Sequence, residues 1–405
     1  MSLSITRVEY RNFRNMEHRV LEPHPGLTVL VGPNAVGKTN CVEGIALMTT
    51  GQSFRHLAGV GDLVREGATS CRVAMLLEGE KRRVDVAFEV AEGKKRLLVN
   101  DKSRRLSEGG RLMPSVLFYP DDLMVIKGPA SARRDMLDGI GMQLSETYGR
   151  IHRDYQRALS QRNALLRDEA MARAEGRDGR RLDSSSSLPS AAGAMLEAWT
   201  EALVGAGSML YLYRRALLER LTPLIAQAYA SIAPGERLTI GYESSYAPGG
   251  DDIGQLTEAG MGEAPATIAP ITRAARPAVE QALRARLAEL RVAELARGTT
   301  LAGPHRDDVT FVIDGRAARL FGSQGQQRTI SLAEKIAHVN LVRAMTGSYP
   351  VFLLDDVMSE LDATRRSALF GLIHTGVQTI MTTTNLDYFT ADELSRVSVV
   401  EMCHE

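Results

Sequence analysis

The chain has 405 residues, with Lys+Arg and Asp+Glu both at 49, so its formal net charge is zero. That length allows two or three domains with a sizeable core, and the charge balance excludes a generally basic surface, so any contact with nucleic acid must come from local basic faces. Three cysteines without a CxxC pair, no apolar run near the ~20 residues of a spanning helix and no signal-type apolar segment predict a soluble, cytoplasmic protein with reduced thiols and no membrane partner.

In chain order, Ser4 to Val8 and Gly26 to Val31 are expected as strands flanking Asn12-Phe13-Arg14. The apolar run Leu27-Thr28-Val29-Leu30-Val31 feeds Gly32-Pro33-Asn34-Ala35-Val36-Gly37-Lys38-Thr39, which fits G-x-x-x-x-G-K-[ST], and Asn40-Cys41-Val42-Glu43 should open a helix. Strand, glycine loop and helix in that order suit phosphate binding. Backbone N–H groups close around the phosphates, Lys38 reaches the β/γ oxygens, and the Thr39 hydroxyl ligates Mg²⁺.

Residues from about 71 to 105 alternate as a small antiparallel region, with Val73, Met75 and Leu77 followed by Val84, Val86 and Phe88. Val116-Leu117-Phe118-Tyr119 is another buried strand, closed by Pro120. From Ala132 the period becomes helical: Leu137, Ile140, Leu144, Tyr148, Ile151, Tyr155, Leu159 and Leu166 predict one long amphipathic helix. It ends in a linker marked by Glu175 to Gly179 and Ser184 to Ser187. A second long helix carries Leu210, Tyr213, Leu217, Leu221 and Leu224, with Pro223 as a kink, and a loose Gly-rich segment runs from Ala247 to about Pro270. A third helix spans Pro277 to Ala296. The strand pattern returns at Val309 to Ile313, and a last strand is expected at Thr379-Ile380-Met381.

Val351-Phe352-Leu353-Leu354-Asp355-Asp356 reads as a central parallel strand that delivers two carboxylates to the sheet edge where ligands bind. Asp355 is assigned to Mg²⁺ through water, and Asp356 to the attacking water. Ser323-Gln324-Gly325-Gln326-Gln327-Arg328 precedes a helix whose first turn can hold an anion; an ordinary N-cap would explain it equally well. It lies between the phosphate loop and the acidic strand, as the signature of an ABC-type ATPase does. There Ser323, Gly325 and Gln326 would serve the γ-phosphate of a second copy. Ser359-Glu360-Leu361-Asp362 fits either a turn that meets that second copy or a helix cap.

These pieces resemble the RecF family of DNA recombination and repair proteins over nearly the whole chain. The motifs are Asn12-Phe13-Arg14-Asn15, the phosphate loop with Asn40, Ser53-Phe54-Arg55, Asp62-Leu63-Val64-Arg65, Tyr119-Pro120-Asp121-Asp122-Leu123, Gly303-Pro304-His305-Arg306-Asp307-Asp308, Ser323 to Arg328, and Leu354 to Asp362. The resemblance implies an α/β fold: an ABC/SMC-like head, a mixed sheet with an antiparallel region, split by a helical lobe. It further implies ATP and Mg²⁺ as cofactors, an ATP-dependent homodimer on duplex or gapped DNA, slow DNA-dependent hydrolysis, and work with RecO and RecR in loading RecA at single-strand gaps. Catalytic roles then fall to Asp356, Lys38 and Asp355, and metal binding to Thr39 and Asp355.

The chain departs from the family at Ala35-Val36, where Gly and a polar residue are usual. It also lacks a glutamine in the Pro120-Asp121-Asp122 loop, so Asp121 or Asp122 would contact Mg²⁺ or water, and carries threonines from Thr382 to Thr384 where many ABC proteins have a switch histidine. Residues 1–130 and 297–405 are expected to form the head, and 131–296 the lobe. His305 and Arg306 either orient a turn near the nucleotide or cap it. DNA contact is open among Lys81-Arg82-Arg83, Lys94-Lys95-Arg96, Arg104-Arg105, Arg133-Arg134 and the stripe Arg150, Arg153, Arg157, Arg162, each of which also reads as a solvated face. A transporter ATPase subunit would need an unsplit nucleotide domain and Leu-Ser-Gly-Gly-Gln, and neither is present. An ATP-binding scaffold without useful turnover is the other reading.

Overall fold

The computed structural model describes residues 3–55, 57, 59–80, 82–174, 190–246 and 275–403. The expected linker through 175–187 and the loose segment from 247 to 270 lie outside the described residues, as does Lys81. In chain order the strands are β1 (Ser4–Phe13), β2 (Met16–Leu21), β3 (Leu27–Val31), β4 (Ser70–Gly79), β5 (Arg82–Ala91), β6 (Lys94–Val99), β7 (Lys102–Arg104), β8 (Ser115–Phe118), β9 (Leu238–Glu243), β10 (Asp308–Ile313), β11 (Arg316–Ala317), β12 (Val351–Asp355), β13 (Thr379–Thr383) and β14 (Ser398–Glu401). The longer helices are α1 (Lys38–Thr50), α2 (Ala130–Leu144), α3 (Glu146–Ala174), α4 (Ser190–Ile232), α5 (Arg276–Arg297), α6 (Gln324–Thr346) and α7 (Ala363–Ile373).

One compact unit comprises Met1–Ile126, Leu224–Glu236 and Gly322–Glu405. Its parallel sheet has the order β14-β3-β13-β12-β8. Every residue of β12 is buried, because each face of the strand meets a different apolar layer. Val351 and Leu353 join Val42 and Ile45 of α1 in one core cluster. Phe352 and Leu354 join Leu332 and Val339 of α6 in the other. A strand covered on both faces is apolar throughout rather than alternating, and only its last residue can bring charge to the edge. In the antiparallel sheet, ordered β2-β1-β4-β5-β6-β7, Val73, Met75, Leu77, Val84, Val86 and Phe88 are buried at alternate positions, with the less buried Arg72, Ala74, Leu76, Asp85 and Glu89 among the residues between them. Two strands of this unit were not anticipated. β2 pairs with β1 across a turn in which Asn12 and Arg14 take positive φ, and β14 adds to the sheet edge beside β3.

A second unit comprises Lys127–Pro223 and Arg237–Phe321. The segment from 297 to 321, expected with the head, belongs here because β10 pairs along its length with the unanticipated strand β9. α4 runs through Pro223, and the boundary between the two units falls at that residue. The single helix expected from Ala132 is two. Ser145 is extended (φ −144°, ψ 121°) and ends α2, while its Oγ accepts the N–H of Tyr148 at 3.2 Å in the first turn of α3.

Polar side chains organise this unit's interior. Asp138 accepts both Arg214 Nε (2.8 Å) and Nη2 (2.7 Å) as well as the Tyr148 hydroxyl (2.6 Å); burial raises its pKa, but Arg214, His152 and Tyr148 prevail and hold the carboxyl well below the usual range. Arg133, offered above as a DNA contact, is buried and paired with Asp308 through Nε (2.6 Å) and Nη2 (2.9 Å). Arg162 is also no surface residue. It is fully buried, with Glu294 at 2.6 Å, Thr300 at 2.8 Å and Thr200 at 3.0 Å. His305 accepts the Tyr155 hydroxyl at Nδ1 (2.6 Å) while Nε2 donates to the Thr300 carbonyl (3.1 Å); a carbonyl can only accept, which fixes this tautomer. Burial pulls the His305 pKa down to about 4 and pushes that of Asp307 up to about 6. The Gly303-to-Asp308 motif therefore ties the interior of this second unit together.

Candidate nucleotide-binding site

β3 ends in the glycine loop and α1 begins at Lys38, as the apolar run and the glycines require. Two loop glycines are obligatory. A Cβ at residue 32 would collide with the Met402 carbonyl, and Gly37, the N-cap of α1, has φ +100°. Lys38 Nζ donates to the carbonyls of Gly32 (2.7 Å) and Pro33 (2.8 Å), so the ammonium folds back over the loop. Burial lowers its pKa, and the carboxylates of Asp356 and Asp355 oppose that shift.

At the neighbouring edge β12 delivers Asp355. Its Oδ1 accepts Thr39 Oγ1 at 2.9 Å and Thr382 Oγ1 at 2.8 Å. The Thr39 contact joins residues 316 positions apart, so the loop and the acidic strand meet as the sequence motifs require. Thr382 does more than satisfy Asp355, since its oxygen accepts the backbone N–H of Asp356 at 2.9 Å. Asp356 is left-handed, with φ +52°, a conformation that costs a residue with a Cβ about 1–3 kcal/mol. The hydrogen bond from its N–H offsets part of that cost at about 1 kcal/mol. Burial raises the pKa of both carboxyls; hydrogen bonds from Thr382 and Thr39 oppose the shift at Asp355, and the Lys38 charge opposes it at Asp356.

These groups line one cleft of about 640 Å³ together with Asn15, Asn34, Ala35, Gly37, Asn40, Phe54, Arg55, Tyr119, Asp121 and Thr384. Of the two carboxylates in the loop that lacks a glutamine, Asp121 lines the cleft and Asp122 does not. Asp122 is buried, accepts the Tyr119 N–H at 2.8 Å and pairs with Lys335 Nζ at 2.8 Å, so it is committed to the core. Ser323, Gly325 and Gln326 do not line this cleft. They form the first turn of α6, where Ser323 Oγ accepts the Gln326 N–H (3.2 Å) and the Gln326 side chain accepts the Ser323 N–H (2.9 Å), a reciprocal cap. Gln326 Nε2 also reaches Glu236 at 3.0 Å. Arg365 donates to the Gly325 carbonyl (2.6 Å) and Thr329 Oγ1 (2.9 Å) and pairs with Asp362, the N-cap of α7. Arg328 pairs with Glu360. The turn from Ser359 to Asp362 is thus both a helix cap and a brace for the Ser323 turn.

Sequence patterns alone assign no contact in the site to Thr382, Arg55 or Glu43. Only the register, which sets Asp355 opposite Thr382, reveals the first. Glu43, fully buried on α1, holds Arg14 (2.6 Å) and Arg55 (3.4 Å) against the loop's flank.

The family model described as RecF/RecN/SMC N terminal domain matches residues 4–405. A DNA replication and repair protein RecF from Gloeobacter violaceus is 36% identical over 97% of this chain and 95% of its own length. The chain belongs to the RecF family. A second relative of the same description, from Pelotomaculum thermopropionicum, is 36% identical over 95% of this chain and 94% of its own. Among solved structures, one of the recombination mediator protein RecF with ATP in the RecFOR pathway superposes with TM-score 0.77 at 27% identity, covering 96% of this chain and 94% of that one. An Smc head domain from Pyrococcus furiosus shares the fold, with TM-score 0.53 at 16% identity over 99% of this chain and 94% of that one. The expected α/β head of ABC/SMC type is therefore the observed fold. Among the described residues, no helix is long and apolar enough to cross a membrane.

Proposed function

We propose that this RecF-family chain is an ATP-dependent DNA-binding protein of recombinational repair: ATP closes two heads on DNA and slow hydrolysis reopens them. The observation that carries the reading is the 2.9 Å contact of Thr39 with Asp355, in one cleft with Lys38 and Asp356. Residues 32–40 would wrap the triphosphate, Asp356 would hold the attacking water, and Ser323, Gly325 and Gln326 would meet the nucleotide of the other head. Mg²⁺ fits Thr39 and Asp355, because both present hard oxygen donors at one buried edge and a small ion there can keep its remaining waters. When bound it would neutralise charge on the β/γ oxygens. RecO, RecR and the loading of RecA at single-strand gaps complete the reading, by analogy with relatives described as RecF and with the RecFOR pathway.

ATP-dependent DNA affinity, measured against salt, tests this reading. Lys94, Lys95 and Arg96 lie on β6 without an ion pair among the described residues, and Arg150, Arg153 and Arg157 lie exposed on α3. Each phosphate neutralised steepens the log–log salt dependence by about 0.9. Replacing Lys94, Lys95 and Arg96 by Ala should weaken ATP-dependent binding and flatten that slope by up to about 2–3, whereas the α3 triple substitution should do neither. The reverse pattern would move the DNA surface to α3, and DNA affinity independent of ATP would remove the clamp.

The two hydrogen bonds of Thr382 give a second test. Thr382→Val should leave ATP affinity within about twofold but lower turnover about tenfold and raise the Mg²⁺ concentration needed for it. Thr382→Ser keeps the hydroxyl and should restore both. A Val variant with normal turnover would show that Thr382 only packs.

A further inference from the structure

Ala35 stands at φ +67° in the glycine loop. An L-residue with a Cβ is strained there. The Ala35 carbonyl accepts Asn15 Nδ2 at 3.1 Å. Asn15 Oδ1 in turn accepts Asn40 Nδ2 at 2.6 Å, and Asn40 Oδ1 accepts Arg55 Nη1 at 2.7 Å. The direction of this chain is forced, because a guanidinium can only donate. Arg55 therefore fixes which atom of Asn40 is the oxygen, Asn40 fixes Asn15, and the Asn15 amide must present its NH₂ to the loop. Arg55 is itself anchored at 3.4 Å by the buried Glu43. Asn15 also crowds the loop's other end: a Cβ at residue 37 would lie 3.2 Å from its Oδ1.

We propose that Asn15 is a positioning residue for the phosphate loop, holding the Ala35–Val36 peptide in the orientation that nucleotide binding requires. A trans peptide directs its C=O and N–H in opposite senses. Fixing the Ala35 carbonyl on Asn15 therefore turns the Val36 N–H away from Asn15, into the set of donors that closes on phosphate. A glycine at residue 35 would hold the left-handed conformation without help, so the requirement for Asn15 belongs to a loop that carries alanine there. The proposal rests on the reading of residues 32–39 as the nucleotide loop.

Calorimetric titration of ATP with Mg²⁺ into the full chain and its Asn15→Ala, Ala35→Gly and doubly substituted variants tests it. Asn15→Ala should weaken ATP about tenfold in the parent background, whereas the same substitution in the Ala35→Gly background should cost about twofold or less relative to Ala35→Gly itself. Asn15→Asp, which still accepts from Asn40 but cannot donate to the Ala35 carbonyl, should lose at least as much as Asn15→Ala and gives the answer if the alanine variant does not fold. Parent-like affinity in Asn15→Ala and Asn15→Asp would overturn the role of Asn15. So would equal losses from Asn15→Ala in both backgrounds, since the residue would then act elsewhere. Absence of ATP binding by the parent chain would overturn both the nucleotide reading and this role, whereas normal parent binding beside silent Asn15 variants overturns this role alone.

Discussion

Lys38→Met should weaken ATP binding by about 100-fold, the loss expected when a charge-assisted contact with phosphate is removed from a half-enclosed site. Methionine keeps much of the apolar stem, and among the described residues the hydrogen bonds lost are those of Nζ to the Gly32 and Pro33 carbonyls, so the fold should survive. Asp355→Asn should act at a different step. It keeps an oxygen for the Thr39 and Thr382 hydroxyls but removes the charge that would face Mg²⁺ in the proposed site, so ATP should still bind while Mg²⁺-supported turnover is lost. Calorimetric titration of ATP against both variants, with and without Mg²⁺, separates the two. Unchanged affinity in Lys38→Met would remove residues 32–39 from the nucleotide reading.

The phosphate loop and the acidic strand were legible because each rests on a strong local signal. Leu27 to Val31 and Val351 to Leu354 are apolar runs that only a strand buried on both faces needs, and glycine and carboxylate end them where the sheet opens to ligand. The strands that escaped lack that signal. β2 reads Met16-Glu17-His18-Arg19-Val20-Leu21 with only its ends buried, and β14 is a half-buried edge. β9 alternates cleanly but stands between a long helix and a glycine-rich segment. Arg162 was misread although helical geometry could have placed it. Five residues beyond Arg157, at about 100° per residue, turn it about 140° away from that residue's face and onto the side of Tyr155, two turns earlier. Buried arginine is rare enough that the basic stripe looked continuous. Contacts such as Asn15 with Ala35, or Thr382 with Asp355, depend on register and on a turn's exact path. No local pattern encodes them.

Ser323→Arg should bind ATP within about threefold of the parent yet fail to dimerise with it. Ser323 is exposed and absent from the cleft of its own chain, so a long cation there leaves that cleft untouched. The turn that presents it is braced: Arg365 grips the Gly325 carbonyl and Thr329, and a side chain at residue 325 would come within 3.1 Å of the Arg365 guanidinium. A braced turn cannot swing aside to accommodate the arginine at a closing interface. Loss of the N-cap costs the helix about 0.5–2 kcal/mol, which a thermal melt of the variant would register separately. Asp356→Asn should give the opposite phenotype. It keeps the left-handed turn, which asparagine tolerates, but removes the group that would take up the proton of the attacking water, so turnover should fall about 10²–10⁴-fold and ATP-bound dimers should accumulate. Size-exclusion chromatography with light scattering, run with ATP and Mg²⁺ on both variants, reads these outcomes directly. A Ser323→Arg chain that dimerises like the parent would exclude the shared-nucleotide arrangement. An Asp356→Asn chain that hydrolyses like the parent would transfer the proposed water-positioning role to Asp121, the third carboxylate among the described residues that line the cleft. Were the parent itself to show no turnover with or without DNA, while both variants bind ATP, the chain would be an ATP-gated scaffold whose dimer opens by nucleotide release.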